Sequence, residues 1–315
     1  MIWLIGCKGM LGTELSMLLE KQGVPFTGTD REIDITDPAA LEAYTERPEF
    51  RGRIGWIVNC AAYTAVDKAE GDVEACRGLN TTGPANIART ARKIGARLIH
   101  ISTDYVFDGR GIPAGFSGGD PNFPALRPYR EDDPTDPIGV YGLTKRDGEA
   151  AVLEHNGDSY IVRTAWLYGR HGNNFVHTML RLMNEQGSVK VVDDQRGSPT
   201  WAADLSQALV SLIAASGGAG AEVPGSPAPG VYHYTGEGAV TWFGFAREIY
   251  AQGRRLGLIT KDCEVRPCTS AEYPARVTRP AYSVLDKGKI KTALGLSIPP
   301  WEESLARYLR ARGEV

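Results

Sequence analysis

The 315-residue sequence lacks the marks of several classes of protein. Its cysteines are few, widely spaced and odd in number, and no two form a Cys-x-x-Cys pair. Such usage argues against a disulfide framework and favours a reducing cytoplasm. No apolar run reaches the roughly 18 residues of a membrane span, and the N-terminus predicts a first strand, not a signal peptide. The cysteines are Cys7, Cys60, Cys76, Cys263 and Cys268.

An excess of charge of one sign is also missing. The chain has 35 Lys and Arg against 38 Asp and Glu, which gives a formal net charge of -3. This balance provides no strongly basic surface, so we expect neither nucleic acid nor an anionic membrane as a partner. The five histidines show no zinc-ligand spacing, and no metal is predicted.

Short β-branched runs alternate with helical patterns over the first half of the chain. The predicted strands are residues 2–5, 24–29, 55–59, 97–102 and 160–164, and the predicted helices are residues 10–21, 38–46, 81–94 and 140–155. Alternation of this kind implies right-handed crossovers and a parallel sheet. The sequence therefore predicts an α/β fold, a Rossmann-type doubly wound parallel sheet.

The strict alternation fades after about residue 165. A stretch rich in Gly, Ala, Ser and Pro, residues 214–229, predicts a surface loop because such a composition cannot build a core. Segments 231–234, 241–251, 263–268 and 301–310 predict a smaller mixed α/β substrate-binding lobe. We expect residues 1–165 to form mainly a dinucleotide-binding domain and residues 166–315 mainly the lobe, with some segments returning to the main sheet.

Three glycines, Gly6, Gly9 and Gly12, follow the first predicted strand and open the first predicted helix. A glycine-rich turn there lets the backbone approach a pyrophosphate, whose charge the free N–H groups of the helix start favour. The spacing is not the usual G-x-G-x-x-G, so the position after a strand carries the argument. Met10 and Leu11 lie in the same candidate cofactor site, and an ordinary tight turn is the alternative.

Asp30 lies 18 positions after Gly12, at the predicted end of the second strand. A carboxylate there can accept hydrogen bonds from ribose hydroxyls, which favours NADH. Arg31 could instead pair with a 2′-phosphate, so the choice between NADH and NADPH stays open. Alternatively, Asp30 caps the turn of residues 29–33.

Tyr141 and Lys145 stand four residues apart on a predicted helix and therefore share a face. A nearby ammonium should lower the pKa of the tyrosine from about 10 and make the phenol a usable general acid. The alternative is an ordinary surface pair. With Ser102 and Thr103 at the end of a strand, the pair indicates a nicotinamide-dependent carbonyl reductase.

Nearly the whole sequence resembles the extended short-chain dehydrogenase/reductases, and within them the nucleotide-sugar reductases. The segments that carry the resemblance are residues 6–12, 34–37, 59–70, 102–109, 141–145, 163–169, 173–175, 194–200 and 273–280. The resemblance implies reduction of the C4 ketone of dTDP-4-dehydro-L-rhamnose to dTDP-L-rhamnose with NADPH or NADH. Thr103, Tyr141 and Lys145 would be catalytic: Tyr141 protonates the C4 oxygen, Thr103 hydrogen-bonds it, and Lys145 holds the nicotinamide ribose.

The resemblance also implies binding residues. Positions that line the cofactor in the family correspond to Asp34, Ile35, Ala61, Ala62 and Tyr63. Positions near the sugar nucleotide correspond to Thr64, Val66, Ser102, Thr103, Asp104, Tyr105 and Trp166. For Trp166, Tyr105 and Thr64 the alternative is plain packing.

The resemblance also bears on assembly and metal content. A homodimer is compatible with the resemblance. Some relatives dimerise around Mg²⁺, and Glu14 lies near the corresponding helix start. A carboxylate there is explained more simply by the helix dipole, so Mg²⁺ is not predicted.

Some features leave other functions open. Residues 110–127 form a Gly- and Pro-rich insert between Thr103 and Tyr141, and such a loop is either a lid or a surface excursion. A dehydratase is disfavoured because no carboxylate couple follows Thr103. Another nucleotide-sugar reductase or epimerase stays open, as does a non-catalytic NADP-binding regulatory subunit of the methionine adenosyltransferase type.

Overall fold

A computed structural model describes residues 1–114, 125–217, 225–273 and 275–313. Its strands, in chain order, are β1 (Ile2–Ile5), β2 (Phe26–Thr29), β3 (Trp56–Asn59), β4 (Arg97–Thr103), β5 (Ile112–Pro113), β6 (Leu126–Arg127), β7 (Ser159–Thr164), β8 (Leu167–Tyr168), β9 (Ser188–Val192), β10 (Arg196–Gly197), β11 (Thr200–Trp201), β12 (Gly230–His233), β13 (Val240–Thr241) and β14 (Glu264–Cys268).

The helices alternate with these strands through most of the chain. They are α1 (Met10–Lys21), α2 (Pro38–Thr45), α3 (Val66–Ala69), α4 (Val73–Arg77), α5 (Gly83–Lys93), α6 (Val140–His155), α7 (Phe175–Glu185), α8 (Ala202–Ser216), α9 (Trp242–Arg255), α10 (Gly288–Leu294) and α11 (Trp301–Gly313). None of the helices in the described ranges combines the length and the apolar character needed to cross a membrane.

Six strands form the central sheet in the order β12-β7-β4-β3-β1-β2, and every neighbouring pair is parallel. From β1 the chain first adds β2 on one side and then β3 on the other. In such sheets ligands bind outside the carboxyl ends of the strands at this reversal point. The predicted doubly wound parallel α/β fold is confirmed.

Both faces of the sheet are covered, as the alternation of side chains in β1 requires. Ile2 and Leu4 belong to a core shared with α1 and α8, whereas Trp3 and Ile5 belong to a core shared with α2 and α5. Since neither face meets water, the central strands read as continuous apolar runs. This packing holds the strand ends, and with them the loops that follow, in fixed positions.

A further core lies outside the sheet and is built from the later part of the chain. Tyr168, Met183, Phe245, Leu305 and Tyr308 are among its buried members. Short paired strands accompany it, including β9 with β14 and β8 with β11. The division of the chain at residue 165 remains a prediction. Strand β12 comes from the part of the chain after residue 165 but lies in the central sheet beside β7.

The structure confirms the strands and helices predicted for the first half of the chain. The strand predicted at residues 2–5 and the helices predicted at residues 10–21 and 140–155 begin and end where they were predicted. The loop predicted over residues 214–229 is wrong at its start, because α8 continues to Ser216 before Gly217 adopts a φ of 71°. Residues 218–224 lie outside the described residues. Of the insert, residues 115–124 also lie outside them, and the flanking strands β5 and β6 pair antiparallel.

Candidate active site

One cavity of about 770 Å³ opens at the carboxyl ends of the central strands, at the reversal point of the sheet. Residues predicted from the sequence that line it are Gly6, Gly9, Met10, Leu11, Gly12, Asp30, Asp34, Ile35, Ala61, Ala62, Thr64, Val66, Ser102, Thr103, Asp104, Tyr105, Tyr141, Lys145 and Trp166. Folding therefore gathers segments that lie far apart in the sequence around a single space.

The turn from β1 into α1 forms one end of the cavity. Gly6 has a φ of 78°, and a Cβ there would lie 2.7 Å from the Ala61 nitrogen. A Cβ at Gly12 would overlap the Gly6 carbonyl oxygen. Glycine is therefore required at both positions, and the free N–H groups at the start of α1 fit a pyrophosphate.

Asp30 lines the cavity and also ties the glycine turn to the end of β2. One carboxylate oxygen accepts the Lys8 N–H at 3.0 Å, and the other accepts the Arg31 N–H at 2.9 Å. Each carboxylate oxygen keeps a lone pair for a further donor. The ribose-binding and turn-capping interpretations are thus compatible, and Arg31 lines the same wall.

Tyr63 is the predicted site residue that the structure places outside the cavity wall. Asn80 holds its backbone, accepting the Tyr63 N–H at 2.8 Å and donating to the Tyr63 carbonyl oxygen at 3.1 Å. The phenol donates to Asp72 at 3.1 Å. These bonds turn the side chain away, whereas Ala61 and Ala62 face the cavity.

The end of β4 supplies a cluster of polar groups. The Thr103 hydroxyl donates to Asp104 at 3.0 Å and accepts the Tyr105 N–H at 3.2 Å. Burial raises the pKa of Asp104 to about 6. Ser102 Oγ and Thr164 Oγ1 have no hydrogen-bond partner among the described residues, although both line the cavity. Buried polar atoms without partners indicate a polar ligand in this part of the cavity.

Helix α6 brings Tyr141 and Lys145 to the cavity, and charged contacts fix its position. Glu70 accepts the Val140 N–H at 2.8 Å, at the helix end where a carboxylate is favoured. Farther along, Glu149 forms a buried ion pair with Arg163 of β7, with a closest distance of 2.7 Å. The helix is thereby held at its start and at its middle.

The sequence predicted that the Lys145 ammonium would lower the pKa of Tyr141, and the structure shows a different arrangement. The Lys145 ammonium donates to the Ile101 carbonyl oxygen at 2.6 Å, and Nζ lies 3.3 Å from His100 Nε2. Burial raises the pKa of Tyr141, and the Thr103 hydroxyl, not Lys145, offsets this rise in part. Burial also lowers the pKa of Lys145 to about 8. Tyr141 is therefore a protonated phenol at neutral pH, which is the form that can donate.

Trp166 lines the cavity in an unusual backbone conformation. Its φ is 47°, rare for a bulky residue and costly unless the surroundings hold it. The indole stacks on Trp242 with ring centroids 3.6 Å apart, and a Cβ at Gly197 would lie 2.5 Å from it. Trp166 thus both packs against the lobe and faces the cavity.

Several residues of the cavity wall were not predicted from the sequence. Thr164 ends β7, and Ala165 and Leu167 follow it. Their position at the carboxyl end of a parallel strand next to β4 could have identified them. Asn173 reaches the cavity from the loop before α7. Residues 173–175 are one of the segments that carry the family resemblance. That segment alone does not show that Asn173 reaches the cavity, because this depends on how the later part of the chain packs against the sheet.

The structure offers little sign of a metal centre. Among the described residues, no three His, Cys, Asp or Glu side chains lie close enough together to hold an ion. Glu14 is buried and accepts the Arg170 N–H at 3.2 Å, joining α1 to the loop after β8. That carboxylate therefore has a structural contact of its own.

One cavity joins a glycine turn suited to a pyrophosphate with a helix that carries Tyr141 and Lys145. Together these two features define a class of enzyme. The protein is a nicotinamide-dependent oxidoreductase of the short-chain dehydrogenase/reductase type. Within that class the chain belongs to the family described as RmlD substrate binding domain, whose model matches residues 1–313.

Three relatives illustrate the similarity. A dTDP-4-dehydrorhamnose reductase from Streptomyces griseus is 44% identical over 98% of this chain and 93% of its own length. A dTDP-4-keto-6-deoxy-D-glucose reductase from Streptomyces niveus is 39% identical over 97% and 95%. A crystal structure of dTDP-4-dehydrorhamnose reductase from Bacillus anthracis in complex with NADP is 34% identical, with a TM-score of 0.83 and 98% of each chain covered.

Proposed function

We propose that the protein reduces the C4 ketone of dTDP-4-dehydro-L-rhamnose to dTDP-L-rhamnose, using NADPH or NADH. The observation that carries the proposal is the meeting of Thr103, Tyr141 and Lys145 in the cavity that also contains the glycine turn. The 44% identical relative named dTDP-4-dehydrorhamnose reductase supports this choice of substrate.

The side chains suggest a division of roles. The bound nicotinamide supplies the hydride to C4. Tyr141 donates its phenolic proton to the oxygen, which becomes the C4 hydroxyl. The Thr103 hydroxyl, which donates to Asp104 in the structure, turns its proton to that oxygen and stabilises the charge that develops on it. Lys145 holds the nicotinamide ribose, and Trp166 and Tyr105 bound the space for the sugar nucleotide.

A second candidate function is the same reduction carried out on a different sugar. The relative from Streptomyces niveus, named dTDP-4-keto-6-deoxy-D-glucose reductase, is nearly as similar as the first. Both reactions need the same hydride, proton and oxyanion contacts, so the two candidates share the mechanism above. They differ in the sugar stereochemistry that the cavity must accept.

An assay with both sugars separates the candidates. The purified protein is incubated with each dTDP-4-keto sugar and excess NADPH or NADH, while the absorbance of the reduced cofactor is followed and the product identified. We expect cofactor oxidation with dTDP-4-dehydro-L-rhamnose and formation of dTDP-L-rhamnose. Isomerisation without cofactor loss would indicate an epimerase, and no reaction with either sugar would contradict the proposal.

The cofactor choice gives a further prediction. Asp30→Asn removes the charge that faces the ribose but keeps one oxygen for the Arg31 N–H. We expect the ratio of kcat/KM for NADPH to that for NADH to rise by about tenfold, because a carboxylate repels a 2′-phosphate by about 1 kcal/mol or more. Steady-state kinetics with both cofactors measure the ratio.

Glu32→Gln is the matched control for Asp30→Asn. Glu32 accepts the Asp30 N–H at 2.8 Å but is not among the cavity-lining residues. Its neutralisation should change the cofactor ratio much less. Equal changes in the two variants would show that Asp30 acts through general surface charge and not through contact with the ribose.

We also propose a cytoplasmic location and assembly as a homodimer. All five cysteines are free thiols, as a reducing compartment allows. Light scattering on the purified protein tests the assembly, and a monomer at working concentration would contradict it.

A further inference from the structure

A chain of buried polar side chains runs beneath the cavity and ends at Lys145. Asn59 at the end of β3, His100 in β4 and Lys145 in α6 have exposed fractions of 1%, 0% and 2%. His100 does not line the cavity, and its neighbours in β4, Leu98 and Ile99, are core residues. A polar group buried so completely requires hydrogen-bond partners on both ring nitrogens.

The backbone fixes the orientation of the Asn59 amide. Its oxygen accepts the Ala61 N–H at 3.0 Å. The amide nitrogen of Asn59 therefore faces His100 Nδ1, at 3.0 Å. The opposite orientation would set the amide N–H groups against the Ala61 N–H, so the hydrogen-bond network assigns this one.

The orientation of Asn59 in turn fixes the tautomer of His100. Since Nδ1 accepts from Asn59, the neutral ring carries its proton on Nε2. Burial and the charge of Lys145 lower the pKa of His100 well below its ordinary value, so the ring stays neutral. Its Nε2–H then points at Lys145 Nζ, 3.3 Å away. An ammonium has no lone pair to accept this proton, whereas the uncharged amine has one.

Other groups around Lys145 act in the opposite direction. Glu149, one turn along α6, and the Ile101 carbonyl oxygen, 2.6 Å from Nζ, favour the ammonium. Cys60 after β3 and Cys76 of α4 also lie near Lys145, but burial raises the pKa of both thiols and keeps them uncharged. Tyr141, one turn earlier, is a protonated phenol, and Glu149 is itself paired with Arg163. His100 is thus the neighbour whose hydrogen-bond geometry favours the amine.

We propose that His100 is a positioning residue that acts through Lys145: its Nε2–H, oriented by Asn59, holds the lysine side chain under the cavity and favours its uncharged form. The role deepens the proposed function, because the proton on Lys145 determines how that side chain holds the ribose and faces Tyr141. His100 itself contacts neither cofactor nor substrate.

The test measures the titration of Lys145 directly. Protein labelled with ¹³C at lysine Cε is titrated by NMR, and the resonance is assigned by its loss in Lys145→Met. In His100→Gln the side-chain amide can turn its oxygen toward the ammonium. We expect the midpoint for Lys145 to rise by about half to one pH unit, the equivalent of one hydrogen bond. The alkaline limb of kcat/KM should move in the same direction.

Two further variants make the result specific. Asn59→Leu removes the amide that donates to Nδ1 without adding a charge, so the imidazole can carry its proton on Nδ1 and Nε2 can accept from the ammonium. The midpoint should again rise. His233→Gln is the control, since His233 is equally buried but lies 3.4 Å from Arg163 and does not contact Lys145. Its replacement should leave the midpoint unchanged.

An unchanged or lower midpoint in both His100→Gln and Asn59→Leu would overturn the proposal, as would an equal rise in His233→Gln. The titration needs no turnover, so the two proposals can fail separately. If the parent protein reduced neither sugar while both variants shifted the titration, the proposed function would be wrong and the role of His100 supported.

Discussion

Tyr141→Phe is expected to lower kcat by about 100- to 10,000-fold, the usual contribution of a general acid, while NADPH still binds. The phenol lines the cavity together with Thr103, and burial keeps it protonated at neutral pH. Phenylalanine preserves the ring and its edge contact with Tyr105, whose ring centroid is 5.5 Å away. Single-turnover rates measure the chemical step, and fluorescence titration measures cofactor binding.

Tyr160→Phe provides the comparison for that variant. Tyr160 is also buried, and its phenol donates to the Pro227 carbonyl oxygen at 3.0 Å, away from the cavity. It should lose some stability and little rate. If Tyr141→Phe kept the parental rate, another group would have to be the proton donor and the proposed division of roles would be wrong.

The largest effect on stability is expected when the ion pair beneath α6 is broken. The side chains of Glu149 and Arg163 are each 5% exposed, and the carboxylate accepts from Arg163 Nε and Nη2 at 2.9 and 2.7 Å. Glu149→Leu leaves the guanidinium buried with the Glu131 carbonyl oxygen at 3.4 Å and the Phe107 ring. We expect the free energy of unfolding to fall by about 3–5 kcal/mol, measured by urea denaturation.

The double variant Glu149→Leu with Arg163→Met distinguishes an unpaired charge from lost packing. Removing both charges often restores most of the stability, because neither group is then buried without a partner. The exposed pair Arg181 and Glu185 of α7 serves as the control, and Glu185→Gln should change stability little. If the double variant were no more stable than Glu149→Leu, the uncompensated charge would not be the cause.

Much of the site followed from the sequence because parallel strands bring their carboxyl ends to one edge. Four residues of the candidate site lie at or just after the end of a strand: Gly6, Asp30, Ala61 and Thr103. Knowing the strands was enough to place them together. Tyr141 followed from its spacing to Lys145 and from the resemblance. These inferences depend on periodicity and on local order, which a single sequence records.

Other features depend on contacts that no local pattern records. The direction of the Tyr63 side chain is set by Asn80 and Asp72, and the pKa of Tyr141 by the surrounding burial. The sequence placed Lys145 beside Tyr141 but did not show that strand β4 would take its hydrogen bonds. Side-chain direction and desolvation arise only when distant elements pack.

The order of strands in the central sheet has a consequence for biosynthesis. Strand β7 lies between β4 and β12, and β12 comes from far along the chain. While the ribosome translates α7 and α8, one edge of β7 has no neighbour, and an open edge can pair with another nascent chain. Polypeptides that stop before Gly230 should therefore aggregate, and the sheet can be completed only late in synthesis.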